Sequence, residues 1–450
     1  MSKAYFKYCC RCYFVALIFK EAFVMNRCGF VLFATLFAVS GQVAAADLKL
    51  ASWNLGWHLN QAEAKSWIAG CNTRYELDQN KTWIKSKNTD AKTGWEMDWR
   101  PRDAGIKLPW NIESMPPCNV YEDDTGKVIA VTKAAFKNRS TALAETIAQI
   151  SPDVIAFQEV SGERAIKEVL GKSASNYQIC SYSGYSVQRL AFAWKKSLAK
   201  SKGVCEKYDA LSLPENNNQR RPRPGLRLAL DINGKKTAFL NVHLKSSCVS
   251  PLEKNEQQRG QLESTQKDCL VLQQQIRPLE NWIETTSTTF DRFIVMGDFN
   301  RDLWHEYDQA KTLSARIDAS APTAPRDAKT RVRLLLSEVN DNMPMQSAMT
   351  LASASCKKSD STNALCTKAK LLRLSSDEMK SLGDEMGCRN PVALDQMLIS
   401  NSWNAGTAVS NAEKIAIAPG SSSINTDNKG VKTVTLSLSD HCPTQITLPN

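Results

Sequence analysis

The sequence predicts an α/β fold with polar residues gathered at strand ends, and three observations predict it. Short apolar runs of strand length recur along the chain, amphipathic helical patterns fall between them, and several apolar runs end in Asn, Asp, Glu or His. A length of 450 residues allows two or three domains, but large α/β sandwiches also run this long as one. A single catalytic domain with insertions is therefore expected. A composition of 42% hydrophobic and 23% charged residues excludes disordered and fibrous classes.

Residues 293–302, FIVMGDFNRD, organise the rest. The apolar run 293–296 has the character of a buried strand, and Gly297 lets the backbone turn as Asp298 and Asn300 arrive. Residues two apart in extended backbone point the same way, so Asp298 and Asn300 are expected to face one pocket. A carboxylate beside a carboxamide suits a phosphate ester, one handling a proton and the other donating to a non-bridging oxygen. A strand followed by an Asx turn competes for the same G-D-x-N, so this motif alone does not decide.

From Met25 the chain shows a basic residue, an apolar run over 28–39 and Ala44-Ala45-Ala46, the pattern of a secretory signal cut after Ala46. That run is short for a membrane span. Residues 1–24 sit oddly before a complete signal, so Met25 is a candidate for the true start. A secreted or periplasmic protein beginning at Asp47 is expected. The first 46 residues hold five basic residues and one acid, so about +7 of the formal +11 belongs to the remainder. This mild excess favours a polyanionic partner, nucleic acid or an anionic membrane surface.

Ten cysteines follow Ala46, an even count that reads as disulfides in an oxidising compartment. Proximity suggests Cys180 with Cys205 and Cys248 with Cys269, and Cys71 with Cys118 would staple the Trp-rich stretch between residues 59 and 137. No C-x-x-C occurs after Ala46, which leaves a structural zinc site little support.

In chain order, residues 48–54 alternate as a first strand that delivers Asn54. Residues 59–137 form an insertion with Trp67, Trp83, Trp95, Trp99 and Trp110, read more readily as a small core than as a base-stacking or lipid-facing surface. A helix is expected over 139–150, a buried strand over 153–160 with Glu159 at its far end, and a helix capped by Ser161 to residue 170. Residues 177–180 and 189–194 suit a hairpin, and 216–224 (NNNQRRPRP) an exposed basic loop. Strands 226–232 and 237–244 are joined by Asn233-Gly234, a hairpin turn. Leu272, Ile276, Leu279 and Ile283 share one helix face, with Pro278 inside. Residues 310–387 read as irregular loops with short helices, a second insertion, and strand pattern returns at 392–400 and 434–438.

Six segments carry polar residues at expected strand ends: Asn54 in SWNLG, Glu159 in AFQEV, His243 in NVHLKS, Asp298 and Asn300 in GDFN, Asp395 in ALDQMLIS, and Asp440-His441 in SDHCP. Both His243 and His441 are expected to follow apolar strands in company with carboxylates, and the whole chain has only four histidines. In this order, from Trp53 to Pro443, the segments resemble the endonuclease/exonuclease/phosphatase superfamily, the fold of deoxyribonuclease I. The resemblance implies a four-layer α/β sandwich, two packed mainly antiparallel sheets with outer helices and the active site at one edge.

It further implies that Glu159 is the principal ligand of Mg²⁺, helped by Asn54 and Asp440, with Mn²⁺ or Ca²⁺ as alternatives. His441, oriented by Asp395, would be the general base, with Asp298 the competing candidate. His243 and Asn300 would bind the oxygens of the scissile phosphate during in-line attack of water, with no covalent enzyme intermediate. The histidine in NVHLKS resembles the deoxyribonuclease I, sphingomyelinase and inositol-phosphatase branches rather than abasic-site endonucleases, and HLKSSC with GDFNRD resembles exported bacterial members. Gln396 departs from the histidine common after the aspartate in this family.

The implied function is an exported, metal-dependent, non-specific endonuclease hydrolysing DNA, with RNA as a further substrate. The alternative is a secreted sphingomyelinase-like or inositol-phosphate phosphodiesterase or phosphatase acting on lipid headgroups. A binding module on a dead catalytic fold predicts losses among these positions, and none is lost. No protein partner is implied, and a monomer is expected.

Overall fold

The computed structural model describes residues 47–99, 105–184, 187–199, 203–215, 221–249, 267–307, 334–352, 354–356, 358–370, 374–403 and 412–450. The expected signal region 1–46, residues 216–220 of the basic loop and residues 308–333 of the second insertion lie outside these.

Among the described residues two large sheets face each other. The seven-stranded sheet runs in the order Ala354–Cys356, Ala412–Lys414, Thr444–Leu448, Leu48–His58, Val154–Val160, Arg189–Lys195, Tyr177–Ser181. The six-stranded sheet runs Met349–Leu351, Asp395–Ser400, Arg292–Asp298, Lys235–His243, Gly225–Ile232, Val204–Tyr208. Leu48–His58 pairs parallel with Val154–Val160, and Lys235–His243 parallel with Arg292–Asp298. Most other pairings are antiparallel.

Side-chain alternation along the strands builds the layers. Leu48, Leu50, Val154 and Ala156 point inward to meet Leu228, Phe239, Ile294 and Met296 of the other sheet. Their neighbours Ala51, Trp53, Ile155 and Phe157 face out against Leu143, Ile147 and Ile166 of helices Lys133–Ile150 and Glu163–Leu170. Ala238, Leu240, Phe293 and Val295 likewise cover Leu272, Ile276 and Leu279 of helix Lys267–Thr289, which runs through Pro278. Helix, sheet, sheet and helix make the four-layer sandwich the sequence implied.

A polar link crosses the apolar middle. Gln158 Nε2 donates to Asn241 Oδ1 at 2.8 Å, and Asn241 Nδ2 donates to Phe157 O at 3.0 Å and Ala191 O at 3.1 Å. Each bond is buried, so this link holds the two sheets in register next to Glu159.

All ten cysteines after Ala46 pair, including Cys71–Cys118, Cys180–Cys205 and Cys248–Cys269, with Cys356–Cys366 and Cys388–Cys442 besides. Trp67, Trp95 and Trp99 are buried with Tyr75 and Tyr121, and Trp83 and Trp110 pack against them. No described helix is long and apolar enough to cross a membrane.

Several local expectations are corrected. The helix expected from Arg139 begins at Lys133, because Thr132 caps it by accepting from Ala135 N. Ser161 is not the cap of Glu163–Leu170; Gly162 holds that position, and Ser161 Oγ accepts from Asn60 N at 3.1 Å. The strand expected over 434–438 is instead Lys432–Thr435, paired with Ser423–Thr426 outside the main sheets. The main-sheet strand is Thr444–Leu448, so His441 precedes a strand rather than following one. The second insertion supplies edge strands to both sheets, Met349–Leu351 and Ala354–Cys356, too short to announce themselves by periodicity.

Candidate functional site

Parallel pairing brings the first two site strands together, and both bulge. The register between Leu48–His58 and Val154–Val160 shifts between Asn54 and His58, and that between Val154–Val160 and Arg189–Lys195 shifts between Phe157 and Val160. Glu159 sits in the bulge at φ 55°, beside Gly56 at φ 57° and Trp57 at φ 55°. A left-handed non-glycine residue is costly, and here it re-aims the carboxylate towards the strand ends. Trp57 N donates to Glu159 Oε2 at 3.0 Å, and Gly56 N to Asn54 Oδ1 at 3.0 Å.

The second sheet lines up its residues by register. His243 lies opposite Asp298, and Asp298 opposite Asp395, so three adjacent strands present one row. Gly297 permits this spacing: at φ 137°, a Cβ there would lie 2.2 Å from Val242 O. Asn300 differs from expectation. It is not in extended backbone but at φ 51°, its N donating to Asp298 Oδ1 at 2.7 Å and its Nδ2 to Leu244 O at 3.1 Å. The Asx turn that competes with the site reading is the device that folds Asn300 back beside Asp298.

The two rows meet. Asn54 Nδ2 donates to Asp298 Oδ2 at 3.0 Å, and His243 Nε2 lies 3.4 Å from Asp298 Oδ2 and 3.6 Å from Glu159 Oε1. His441 Nδ1 is 2.9 Å from Asp395 Oδ2, while its Nε2 lies 3.9 Å from both Asp298 Oδ2 and Asp440 Oδ2. The turn carrying Asp440-His441 is pinned by Trp53 Nε1 donating to His441 O, Asn390 N donating to Asp440 O, and the Cys388–Cys442 disulfide. All eight expected site residues, Asn54, Glu159, His243, Asp298, Asn300, Asp395, Asp440 and His441, thus fall into one linked group. Gln396 turns away from it, donating to Ala393 O at 2.9 Å.

Burial, then the Asp440 carboxylate, raises Glu159 to about 7. Burial also raises Asp298, to about 6, against the pull of His441. Burial alone would lower His441, but Asp395, Asp440 and Asp298 outweigh it and hold its proton well above the ordinary range. His243 goes the other way: burial, then Arg223 and His441, keep it neutral.

Asn54, Glu159 and Asp440 offer hard oxygen donors, and the mutual repulsion of Glu159 and Asp440 is what a divalent cation would relieve. This donor set fits a hard divalent cation. Asp298, Asp395 and His441 are also close enough to hold a metal ion, with candidate ligand atoms within 4.8 Å of one another. There, however, Asp395 Oδ2 is engaged by His441 Nδ1 and lies 3.7 Å from the buried Lys414 Nζ.

Three contributors escaped the sequence reading. Gln188 Nε2 reaches Glu159 Oε1 at 3.4 Å, Arg223 donates to Leu244 O at 2.9 Å, and Lys414 donates to Asp395 O at 3.1 Å. Arg223 lay within the loop read as basic and exposed; its burial had no local signal. Lys414 stands on a three-residue strand, where periodicity carries no information.

No curated protein matches the chain. Among solved structures, an endonuclease/exonuclease/phosphatase family protein from Bacteroides thetaiotaomicron is 10% identical, covering 90% of this chain and 98% of that one at a TM-score of 0.40. A beta toxin mutant from Staphylococcus aureus with bound magnesium ions is 11% identical, covering 90% and 100% at a TM-score of 0.40. A D. rerio TDP2 complexed with a single-strand DNA product is 14% identical, covering 73% and 97% at a TM-score of 0.35. The family model described as Endonuclease/Exonuclease/phosphatase family matches residues 110–441, most of the chain. The chain belongs to this family, whose members are metal-dependent phosphoric ester hydrolases.

Proposed function

We propose that residues 47–450 act, after export, as a monomeric Mg²⁺-dependent phosphodiesterase, foremost a non-specific endonuclease on DNA and RNA. The observation that carries this reading is the meeting of Glu159, Asn54 and Asp440 with His243, Asp298 and the Asp395–His441 pair at one edge of the sandwich.

A divalent cation held by Asn54, Glu159 and Asp440 would neutralise phosphate charge and stabilise the leaving oxygen. The chain's own residues do the rest. Asp395 fixes Nδ1 of His441, leaving Nε2 to take a proton from the attacking water once it is neutral; without metal the surrounding carboxylates keep Nε2 protonated, and they stabilise the imidazolium that the transfer forms. Asp298 is the competing base, 3.9 Å from the same nitrogen. His243, held neutral, donates a hydrogen bond rather than a charge to a non-bridging oxygen, and Asn300 addresses another.

A polyanionic strand suits the surroundings. Arg389 is exposed beside Asp440, Arg221 is exposed near Arg223, and Lys245 follows the His243 strand. A lipid-headgroup substrate is the second reading, favoured by Ile424, 50% exposed on the two-stranded sheet preceding Asp440-His441, and by Val431, 58% exposed in the turn that joins its strands.

The test compares purified mature protein from Asp47 on plasmid DNA, RNA, sphingomyelin and a phosphomonoester, in Mg²⁺ and in EDTA. Metal-dependent nicking is expected. Intact DNA beside hydrolysed sphingomyelin would move the substrate to lipid; inertness on all four would remove the enzymatic reading.

A further inference from the structure

Lys414 ends the short strand Ala412–Lys414 of the seven-stranded sheet, and side chains alternate across a sheet. Ala412 belongs to the apolar layer between the two sheets, with Ile446 and Leu448 of the neighbouring strand, so Lys414 two residues on enters the same layer. A methionine of similar length would suit those surroundings. An ammonium on a fully buried side chain is costly there unless a fixed anion and a hydrogen-bond acceptor meet it. Asp395 supplies both from the opposite sheet: its backbone O accepts from Lys414 Nζ at 3.1 Å, and its Oδ2 lies 3.7 Å from the same nitrogen.

The Asp395 carboxylate needs that cation. It is buried, it stands opposite the Asp298 carboxylate in strand register, and its Oδ1 has no hydrogen-bond partner. Two buried carboxylates on adjacent strands repel, and Asp395 raises Asp298 accordingly. The ion-pair partners of Asp395 among the described residues are His441, whose Nδ1 is 2.9 Å from Oδ2, and Lys414. His441 exchanges a proton with water in the mechanism above, whereas Lys414 stands outside that exchange and opposes the carboxylate throughout. We propose that Lys414 is a positioning residue of this site: reaching across from the seven-stranded sheet, it anchors Asp395 at backbone and side chain, so that Asp395 can in turn orient His441. Its effect on hydrolysis rests on the phosphodiesterase reading above.

The test is a double-mutant cycle on the mature chain, reading kcat and KM for a phosphodiester in Mg²⁺. Lys414→Met should lower kcat at least about tenfold and leave KM within about twofold of wild type. In an Asp395→Asn background the same change should cost less than about twofold, because the group through which the lysine acts is already altered. Equal losses in the two backgrounds would overturn the proposal, since the lysine would then support the fold alone; so would wild-type kcat in folded Lys414→Met. If Asp395→Asn does not fold, His441→Ala serves as the second background under the same criteria. If Lys414→Met does not fold, Lys414→Gln, a neutral donor, takes its place. A wild type inert on phosphodiesters would remove the phosphodiesterase reading, and proton NMR would then decide the positioning. The Nδ1 proton of His441, assigned by its absence in His441→Ala, should be protected from exchange in wild type and lost to exchange in Lys414→Met. Its persistence in Lys414→Met, or its absence in wild type, would overturn the proposal.

Discussion

Asp395 and His441 meet at 2.9 Å between Oδ2 and Nδ1, each reaching the other from a different sheet. Asp395 opens the strand Asp395–Ser400 of the six-stranded sheet, and His441 stands just before Thr444–Leu448 of the seven-stranded one. The site therefore exists only when the two sheets are packed. Because Asp395 fixes which imidazole nitrogen faces the pocket, Asp395→Asn should lower kcat by about 10²–10⁴-fold with little change in KM. Steady-state kinetics on a phosphodiester check this, and an equal loss in KM would point to binding instead.

Glu159 reaches the proposed metal position through a strained bulge residue, so its charge should be needed for metal affinity. Glu159→Gln keeps the shape and its acceptor for Trp57 N, yet should weaken the apparent Mg²⁺ affinity by about 10-fold or more. A Mg²⁺ titration of activity reads this directly. An unchanged titration curve would exclude Glu159 as a ligand.

Without metal, the site should become a burden as pH rises. Glu159 is raised from 4.5 to about 7 and Asp298 from 3.8 to about 6, so the folded chain keeps protons that the unfolded chain releases. Such a contribution is full below the unfolded value and is lost as pH climbs through the folded one. His58 and His243, held below 6.5, act oppositely only under more acid conditions. In EDTA, Tm should fall between pH 6.5 and about pH 8, and Mg²⁺ should recover more of it at the higher pH, where the ligands are ionised. A Tm that is flat in EDTA, or indifferent to Mg²⁺, would count against the carboxylate cluster.

Gly297 is where the site strand passes closest to its neighbour. Gly297→Ala places a methyl group 2.2 Å from Val242 O at a left-handed φ, and should destabilise the fold by about 2–4 kcal/mol. Urea denaturation followed by circular dichroism measures it; a loss within error of zero would mean that the two strands can separate freely.

Much of this site was legible because each motif ends an apolar run, and burial of that run forces its polar end into one neighbourhood. Glu159 after AFQ and His243 after the run ending in Val242 are of this kind. Asn300 reaches Asp298 by a different route from the expected one: alternation predicts an extended residue, whereas the Asx turn gives a left-handed one. SDHCP marks His441, although the strand expected before it lies outside the main sheets and the main-sheet strand follows. Arg223, Gln188 and Lys414 were invisible because their roles depend on long-range burial, which neither a basic loop nor a three-residue edge strand records locally. The same applies to Met349–Leu351 and Ala354–Cys356, which are strands by virtue of what they pair with.

The most direct measurement is kcat/KM for plasmid DNA with wild type, Glu159→Ala, His441→Ala and the double variant, in Mg²⁺. If one constellation performs the chemistry, each single change should cost at least about 10²-fold, and the double variant should lose far less than the product of the two. Near-wild-type activity in either folded single variant would contradict the account, because hydrolysis would then occur without the residues on which the two sheets converge.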